Sequence, residues 1–448
     1  MTSRCAAFFL VLAVVACSQG PPLGLEGSGR SALLPDAPKF PKIHHVVIIY
    51  QENRTVDDLF NGLPGADTVR SGFNSSGHRV ALRPIDLTAP YDIDHHHNAF
   101  LVESNHGRWN GFDKVGSECV TVGICPPSNV RAYGFVPHSE IQPYLTMAER
   151  YAFADHMFQT NQGPSFPAHQ YIVSGTSSIG DRQALKASEN PSTPSDASTG
   201  GCDAPPGSLV PLIDPLGNEV QDIYPCFDRI SLMQLIDAKS LTWRYYQAIP
   251  GPGIWNGPDA ILHVRESPNY STDVVTPPAR VLTDVANGEL ADVVWLTPTA
   301  PASDHARVTD GSGPSWVAAV VNAIGKSKYW RDTAIFVTWD DWGGWFDHVP
   351  PHRYNSYELG FRVPLIVISP YAKNHYVSHR QHEFGSILKF TEEAFGLGSL
   401  HTTDVRSDDL SDCFNFSKPA TRFERVPARL SAESFLRQPP STVIPDDD

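Results

Sequence analysis

The sequence has few basic residues, no cluster of lysine and arginine, and no long apolar run after its first residues. It carries 34 lysines and arginines against 49 aspartates and glutamates, which gives a formal charge of −15 at pH 7. Because phosphate backbones are bound by clustered basic side chains, this balance excludes a general nucleic-acid-binding protein. Zinc-type CxxC spacing is also absent. With 448 residues, of which 41% are hydrophobic, the chain is long enough to bury a large core, and a mainly disordered protein is excluded.

The first 40 residues are expected to lie outside the fold. An apolar stretch at 6–16 follows Arg4 and is too short to span a membrane as a mature helix. Its end, VVAC, is similar to a bacterial lipoprotein signal, so residues 1–17 are predicted to be a signal peptide ending at an acylated Cys17. An ordinary secretory signal, cleaved slightly later, is the alternative. Residues 18–40 are rich in glycine, proline and serine and are expected to form a flexible linker.

Either signal predicts export from the cytosol. As a lipoprotein the chain would reside in the periplasm, at the outer membrane or at the cell surface; otherwise it would be secreted. Membrane contact is expected only through the N-terminal anchor. An exported chain can form disulfides, and Cys119–Cys125 and Cys202–Cys226 are plausible local pairs, although spacing alone does not prove connectivity.

Short apolar runs alternate with stretches of helical character along the rest of the chain. The predicted strands are 45–50 (HVVIIY), 292–297 (DVVWLT), 334–339 (AIFVTW) and 364–369 (PLIVIS). The predicted helices are 141–152, 230–238, 316–324 and 384–395. Unbroken β-branched runs are typical of strands buried on both faces of a mainly parallel sheet, and their alternation with helices predicts a layered α/β fold. Residues 176–225, rich in serine, proline and glycine, are expected to form an irregular excursion that caps or borders the site.

Polar residues follow two of these strands at the point where each ends. Gln51, Glu52 and Asn53 come directly after HVVIIY, and Asp340 and Asp341 come directly after AIFVTW. Oxygen donors of this kind suit hard divalent cations, and adjacent buried acids are tolerated when a cation lies between them. Taken alone, the first segment is more typical of a helix cap or a polar turn. The tryptophans that flank the second segment argue against a solvated acidic turn.

Ser165 lies in the segment QGPSFPAHQY, where Gly163-Pro164 predicts a turn and Pro167 fits the first turn of a helix. A hydroxyl at a helix N-terminus lies where backbone N–H groups favour an alkoxide and an incoming phosphate. Simple N-capping is the commoner role of serine at such a position. The sequence therefore makes Ser165 a candidate nucleophile only in combination with the acidic clusters.

Histidines that could serve in proton transfer occur in two further segments. DIDHHH places three consecutive histidines at 95–97; all three cannot face one point, so at most one or two are expected to reach the site, and His95 is the preferred candidate. Asp304-His305 follows the strand DVVWLT. A histidine near a phosphate can donate to its oxygens or protonate a leaving group, although a structural role is about as common for any one of them.

Taken together, these segments resemble the bacterial phosphoesterase family that groups phosphatidylcholine-type phospholipases C with a class of acid phosphatases. The resemblance is carried by HHVVIIYQENRTVDDLFNGLPGADT, QGPSFPAHQYIVSGT, TAIFVTWDDWGGWFDHVPP, GFRVPLIVISPYAK and HEFGSILKFTEEAFGL. It runs, with gaps, from about His44 to about Leu397. The family is similar in fold to the alkaline phosphatase superfamily, so the resemblance implies a three-layer α/β sandwich with a mainly parallel central sheet.

The resemblance also implies metal-dependent hydrolysis of phosphate esters through a phosphoserine intermediate. The implied ligands of a divalent metal are Glu52, Asn53, Asp340, Asp341 and Ser165. The implied catalytic residues are Ser165 as nucleophile, with His305, His348 and His95 binding phosphate or assisting proton transfer. The role of His382, in HEFGSILKF, is left open. Oxygen ligands favour Ca²⁺, Mg²⁺ or Mn²⁺, and the nearby histidines keep Zn²⁺ possible.

The chain departs from the family pattern in two places. Ala168-His169 stands where many relatives carry Asn-Arg, and because such an arginine could contact substrate, this departure bears on the choice of substrate. The triple histidine makes the alignment at His95 uncertain by one residue. The chain ends soon after its last predicted helix, so residues 41–448 are expected to form a single phosphoesterase catalytic domain.

A broad phosphoesterase or acid phosphatase-like activity on small phosphoesters is the preferred function. The first alternative is a phospholipase C that cleaves phospholipid head groups, for which Trp109, Trp342 and Trp345 would form an aromatic site unless they belong to the core. The second alternative is a surface lipoprotein that binds ligand on this scaffold without turnover.

Overall fold

An eight-stranded sheet lies at the centre of the computed structural model, which describes residues 37–121, 123–194, 200–441 and 443. The strands are β1 (His45–Gln51), β2 (Ser71–Phe73), β3 (Arg79–Ala81), β4 (Arg83–Pro84), β5 (Tyr91–Ile93), β6 (Ser117–Cys119), β7 (Gly134–Phe135), β8 (Ala152–Ala154), β9 (Met157–Phe158), β10 (Lys186–Ala187), β11 (Val210–Ile213), β12 (Glu219–Ile223), β13 (Trp243–Tyr246), β14 (Val274–Val275), β15 (Val293–Leu296), β16 (Thr333–Trp339), β17 (Leu365–Ile368), β18 (Tyr376–Ser378) and β19 (His382–Glu383).

Helices connect and cover these strands. The α-helices are α1 (Val56–Leu59), α2 (His97–Ser104), α3 (Gln142–Arg150), α4 (Ser165–Ser174), α5 (Leu232–Ala238), α6 (Leu262–Arg265), α7 (Tyr270–Asp273), α8 (Arg280–Asn287), α9 (Gly313–Gly325), α10 (Phe384–Phe395) and α11 (Ala432–Leu436). Short 3₁₀ helices lie at Asn105–Gly107, Ser128–Val130, Gly257–Ala260, Ala300–Ala302, Lys328–Asp332, Thr403–Val405 and Ser411–Cys413.

The central sheet has the strand order β14-β13-β15-β1-β16-β17-β8-β18. All neighbouring pairs are parallel except the two that involve β17, which runs antiparallel to both β16 and β8. The prediction of a mainly parallel sheet is therefore confirmed. Strand β17 is the exception, and its apolar sequence does not reveal its direction because a strand buried on both faces reads the same either way.

Helices cover both faces of this sheet. On β16, Phe336 packs its ring against Phe390 of α10, whereas Trp339 packs against Tyr144 of α3. Because side chains three residues apart on a strand point to opposite faces, α10 and α3 lie on opposite sides. Helix α4 contacts α10 and α5 on the first side, and α9 contacts α3, α8 and α11 on the second. The predicted three-layer sandwich is confirmed.

The predicted elements agree with the structure at their centres and differ at their ends. The helix predicted at 384–395 has those bounds, whereas the one predicted at 141–152 ends at Arg150, and Ala152 already begins β8. The region 176–225 is less irregular than expected, because β10, β11 and β12 form a small antiparallel sheet within it. The serine- and proline-rich composition conceals these three short strands.

Both predicted disulfides are present: Cys119 is bonded to Cys125 and Cys202 to Cys226, while Cys413 is a buried free thiol. The predicted signal peptide at 1–17 and most of the linker at 18–40 lie outside the described residues. Among the residues that are described, no helix is both long enough and apolar enough to cross a membrane.

Candidate active site

Three neighbouring parallel strands, β15, β1 and β16, bring their carboxyl ends to one edge of the sheet. Gln51 lies opposite Trp339 in the β1–β16 register, so the residues that follow them are adjacent. Glu52, Asn53, Asp340 and Asp341 all emerge here and are buried. This convergence is the one that the sequence predicts from polar residues at strand ends.

Local backbone geometry holds the two segments together. Asn53 has a left-handed conformation with φ 61°, and its backbone N–H donates to Asp340 Oδ1 over 3.2 Å. Gly343, with φ 59°, packs so closely that a Cβ there would lie 2.6 Å from the Asn53 carbonyl oxygen. Its N–H donates to Asp341 Oδ1 over 2.7 Å. Glycine is therefore required at 343 both for its conformation and for space.

Ser165 is the first residue of α4 and points toward the acidic cluster. Its Oγ lies 3.4 Å from Glu52 Oε2 and 3.4 Å from Asp341 Oδ2. It makes no capping hydrogen bond, since Pro164 occupies the N-cap position and the Phe166 N–H is bonded by Asn190 Oδ1 over 2.9 Å. The N-capping role considered for this serine is thus excluded, and its hydroxyl is directed to the carboxylates.

His169 lies one turn further along α4 and faces the same cluster. Residues four apart share a helix face, so the serine and the imidazole point the same way. The Nε2 atom of His169 is 3.4 Å from Glu52 Oε1 and 3.7 Å from Asp340 Oδ2. Burial lowers the pKa of this imidazole to about 4, against the opposing effect of Asp340. The sequence noted His169 only as a departure from the family pattern; its i,i+4 spacing from Ser165 is the signal that was missed.

The cluster has a surplus of acceptors. Asp340 Oδ2, Asn53 Oδ1 and His169 Nε2 are buried without a hydrogen-bond partner among the described residues. Burial and the neighbouring Glu52 raise the pKa of Asp340 well above its usual range. Lone pairs that face one another away from water are costly unless a proton or a cation lies between them. The donor set therefore fits a divalent cation, which these side chains would hold.

His95 contacts the cluster through Asn53. Its Nδ1 is 2.8 Å from the Ile93 carbonyl oxygen, so Nδ1 carries the proton, and Nε2 accepts from Asn53 Nδ2 over 3.1 Å. This bond turns the Asn53 amide so that its oxygen is left for the cation site. His96 instead bonds Asp94, and His97 bonds the Gln162 carbonyl. Of the three consecutive histidines, the structure places His95 at the cluster.

His305 lies beside His95, with the two ring centres 6.0 Å apart. Its Nδ1 is 2.6 Å from the Ala306 carbonyl oxygen and 3.6 Å from Asp92 Oδ2. Asp92 also lines a cavity of about 570 Å³ together with Asp94, His96, Gly116, Ser117, Glu118 and Arg307. Through its contact with Asp92, His305 therefore lies next to a cavity whose wall carries the carboxylates of Asp92, Asp94 and Glu118.

His348 has its hydrogen bonds elsewhere. Its Nδ1 is 2.6 Å from Asp57 Oδ2 and its Nε2 is 3.2 Å from Asp67 Oδ1. Burial lowers the pKa of the imidazole, but the Asp57 and Asp347 carboxylates outweigh it and the pKa is raised. The described hydrogen bonds of His348 therefore do not include the acidic cluster, and its catalytic role stays a prediction. His382 is likewise tied to Asp408 and Ser378.

The tryptophans considered for an aromatic site belong mostly to the core. Trp342 and Trp345 are fully buried, and Trp342 Nε1 donates to Glu103 Oε2 over 2.7 Å. Trp109 is only partly buried and packs against the same cluster of apolar side chains. The structure therefore supports the core interpretation for Trp342 and Trp345.

The chain is similar in sequence to known proteins over most of its length. A model of the Phosphoesterase family matches residues 43–398. The chain is 23% identical to a non-hemolytic phospholipase C of Pseudomonas aeruginosa, over 88% of this chain and 60% of that protein. It is 26% identical to phospholipase C A of Mycobacterium tuberculosis, over 88% of this chain and 84% of that protein.

Solved structures show only a distant likeness. A protein of the alkaline phosphatase superfamily from Vibrio parahaemolyticus is 9% identical, over 86% of this chain and 72% of that one, with a TM-score of 0.37. The structure of Ps i-CgsB is 10% identical, over 84% and 77%, with a TM-score of 0.39.

Proposed function

The chain belongs to the Phosphoesterase family, a family of phosphoric ester hydrolases, and we propose that it cleaves phosphate esters with Ser165 as the nucleophile. The observation that carries this proposal is the Ser165 hydroxyl at the start of α4, 3.4 Å from carboxylates supplied by two other strand ends. Family membership counts against the alternative of a binding protein without turnover. That alternative also leaves the surplus of buried acceptors unexplained.

Ser165 would form the first new bond. Its Oγ attacks phosphorus while the bond between phosphorus and the leaving oxygen breaks, and its proton passes to a carboxylate oxygen of Glu52 or Asp341. His305 donates a proton to the leaving oxygen. Water then attacks the phosphoserine, which releases phosphate and restores the hydroxyl. His95 acts as a positioning residue, because it orients Asn53 rather than the phosphate.

The residues that would hold a divalent cation are Glu52, Asn53, Asp340, Asp341 and Ser165. Their oxygen atoms converge in a buried site, and two of the atoms, Asn53 Oδ1 and Asp340 Oδ2, have no other hydrogen-bond partner among the described residues. When bound, the cation would lower the pKa of the serine hydroxyl and offset charge on the phosphoryl oxygens.

A matched pair of serine variants tests the nucleophile. Ser165→Ala removes the proposed nucleophile, whereas Ser174→Ala removes a buried hydroxyl at the other end of α4 that has no hydrogen-bond partner among the described residues. We expect hydrolysis of p-nitrophenyl phosphate to fall at least about 1,000-fold in the first variant and to persist in the second. Acid-quenched reactions with radiolabelled substrate should trap phosphoserine in the wild type and in Ser174→Ala, but not in Ser165→Ala. Full activity of Ser165→Ala would remove the covalent step.

The substrate is a small phosphomonoester or a phospholipid diester. Phospholipase C activity is favoured by the names of the relatives and by the cavity beside His305, whose wall carries Asp92, Asp94 and Glu118 together with His96, bonded to Asp94, and Arg307, bonded to Glu118. Three carboxylates suit a cationic head group better than a free phosphate. Comparing p-nitrophenyl phosphate with p-nitrophenyl phosphorylcholine decides between the two, because only the second places a cation beyond the phosphate.

Export is part of the proposal. The two disulfides support an oxidising compartment. Incorporation of labelled fatty acid at Cys17, abolished by Cys17→Ser, would establish the lipoprotein form. A processed chain without lipid would favour the ordinary secretory signal.

A further inference from the structure

We propose that His169 is a nitrogen ligand of the cation at the Glu52–Asp340 pair, and that the centre therefore selects Zn²⁺ over Ca²⁺ and Mg²⁺. The inference rests on the proposed function, because it assumes that a cation binds there. It changes the expected chemistry of the site: the sequence predicts an all-oxygen donor set, which favours hard cations, whereas one imidazole nitrogen favours Zn²⁺.

The hydrogen bonds of the imidazole fix which nitrogen is available. Tyr245 donates its hydroxyl proton to the Trp255 carbonyl oxygen, so the tyrosine oxygen can only accept from its other neighbour. That neighbour is His169 Nδ1, 3.3 Å away, which must therefore carry the proton. In a neutral imidazole the remaining nitrogen, Nε2, then presents a lone pair. The orientation of the His169 ring is therefore set by its hydrogen bond to Tyr245 rather than by the carboxylates.

The lone pair of His169 Nε2 is directed at two carboxylate oxygens. It lies 3.4 Å from Glu52 Oε1 and 3.7 Å from Asp340 Oδ2, and the three atoms lie within 4.8 Å of one another. Donors bound at about 2.1 Å in tetrahedral geometry are separated by about 3.4 Å, so these spacings suit one shared Zn²⁺. All three side chains are completely buried.

The ring is also held in place from the sides. Trp255 stacks on it with ring centres 6.3 Å apart and an interplanar angle of 24°, and Tyr50 lies 5.9 Å away on a neighbouring element. Ser165 lies on the same face of α4, one turn nearer the N-terminus. Helix α4 would thus supply the nucleophile and a ligand from adjacent turns. The competing interpretation is an imidazolium ion that forms a simple ion pair with the two carboxylates and binds no metal.

Metal affinity separates these interpretations. The full-length protein is stripped with chelator and titrated with Zn²⁺ and, separately, with Mg²⁺, each against a competing indicator dye. His169→Gln removes the nitrogen, and His97→Gln serves as the matched control because His97 is a buried histidine bonded to a backbone carbonyl. We expect His169→Gln to weaken Zn²⁺ binding at least about 100-fold with less than about a threefold change for Mg²⁺, and the control to change neither.

A third variant distinguishes failure of this inference from failure of the proposed function. Asp340→Asn should abolish binding of both metals. If Asp340→Asn loses Zn²⁺ but His169→Gln keeps it at full affinity, the cation site stands and His169 is not a ligand. If neither variant affects binding, the site itself is refuted. Should His169→Gln fail to fold, X-ray absorption spectroscopy of the Zn²⁺-loaded wild type decides, since imidazole scattering at the Zn²⁺ supports the ligand and its absence overturns it.

Discussion

Gly343→Ala tests whether the active site depends on the close approach of two strand ends. A Cβ at this position would lie 2.6 Å from the Asn53 carbonyl oxygen and 2.7 Å from the Asn53 Cβ. Since ordinary contacts begin near 3.4 Å, the two segments must separate by about 0.8 Å. Asn53 and Asp341 lie on opposite sides of this contact, so the separation would directly widen the candidate cation site.

The control for this variant is Gly62→Ala. Gly62 also has a left-handed conformation, with φ 80°, but nothing lies within 4 Å of the added Cβ. Both variants therefore incur the strain of a left-handed alanine, about 1–2 kcal/mol of unfolding free energy. Only Gly343→Ala adds steric conflict, for which overpacking costs about 1–3 kcal/mol more. The difference between the two variants isolates the contact with Asn53.

Catalysis should respond more strongly than stability. Displacement of reacting groups by about 1 Å can reduce a rate about 100-fold, so we expect Gly343→Ala to lower kcat/KM for p-nitrophenyl phosphate by about 10- to 100-fold. Gly62→Ala should keep near wild-type kcat/KM at a temperature where both variants are folded. Steady-state kinetics and urea unfolding provide the two measurements. Equal losses in both variants, or full activity in Gly343→Ala, would refute the reasoning.

Three further outcomes follow from the geometry. His348→Gln should change kcat/KM less than about threefold, because its hydrogen bonds run to Asp57 and Asp67, and a loss above about 100-fold would return it to the catalytic group. Burial raises the pKa of Asp304 to about 7, so the folded state binds this proton more tightly than the unfolded state, and the free energy of unfolding falls as the pH rises from 4 to 7. Asp304→Asn should reduce the slope of unfolding free energy against pH by up to about 1.4 kcal/mol per pH unit, measured by urea unfolding at several pH values. An unchanged slope would contradict the raised pKa of Asp304. Replacing the Cys202–Cys226 disulfide, which spans 24 residues, by two serines should cost about 3.5 kcal/mol of unfolding free energy, compared with about 2.4 for the shorter one.

Local sequence was sufficient for much of the fold. The strand at 45–50 extends one residue beyond its predicted end, and the helix predicted at 384–395 has those bounds. Such elements can be predicted because burial on both faces requires a continuous apolar run. The direction of a strand and the identity of its neighbours in the sheet cannot be predicted in this way. Strand β17 is as apolar as β16 but runs antiparallel to it, because its direction depends on the path of the intervening chain.

Some features of the candidate site could likewise be predicted from the sequence, and others could not. Glu52, Asn53, Asp340 and Asp341 were predicted together because parallel neighbouring strands deliver the residues after them to one edge. The two disulfide pairs are present as predicted, and His95, of the three consecutive histidines, is the one that contacts Asn53. Family membership confirms the predicted class of enzyme, a phosphoric ester hydrolase. The specific substrate stays a prediction.

The sequence by itself determined which chemical groups stand at the ends of which strands, because that depends only on neighbours along the chain. The tertiary structure decided which distant groups meet. In the folded chain His169 lies against Glu52 and Asp340, whereas His348 contacts Asp57 and Asp67. Both histidines lie beside recognisable motifs, but the direction of an imidazole is set by hydrogen-bond partners such as Tyr245, which are close only after the chain has folded.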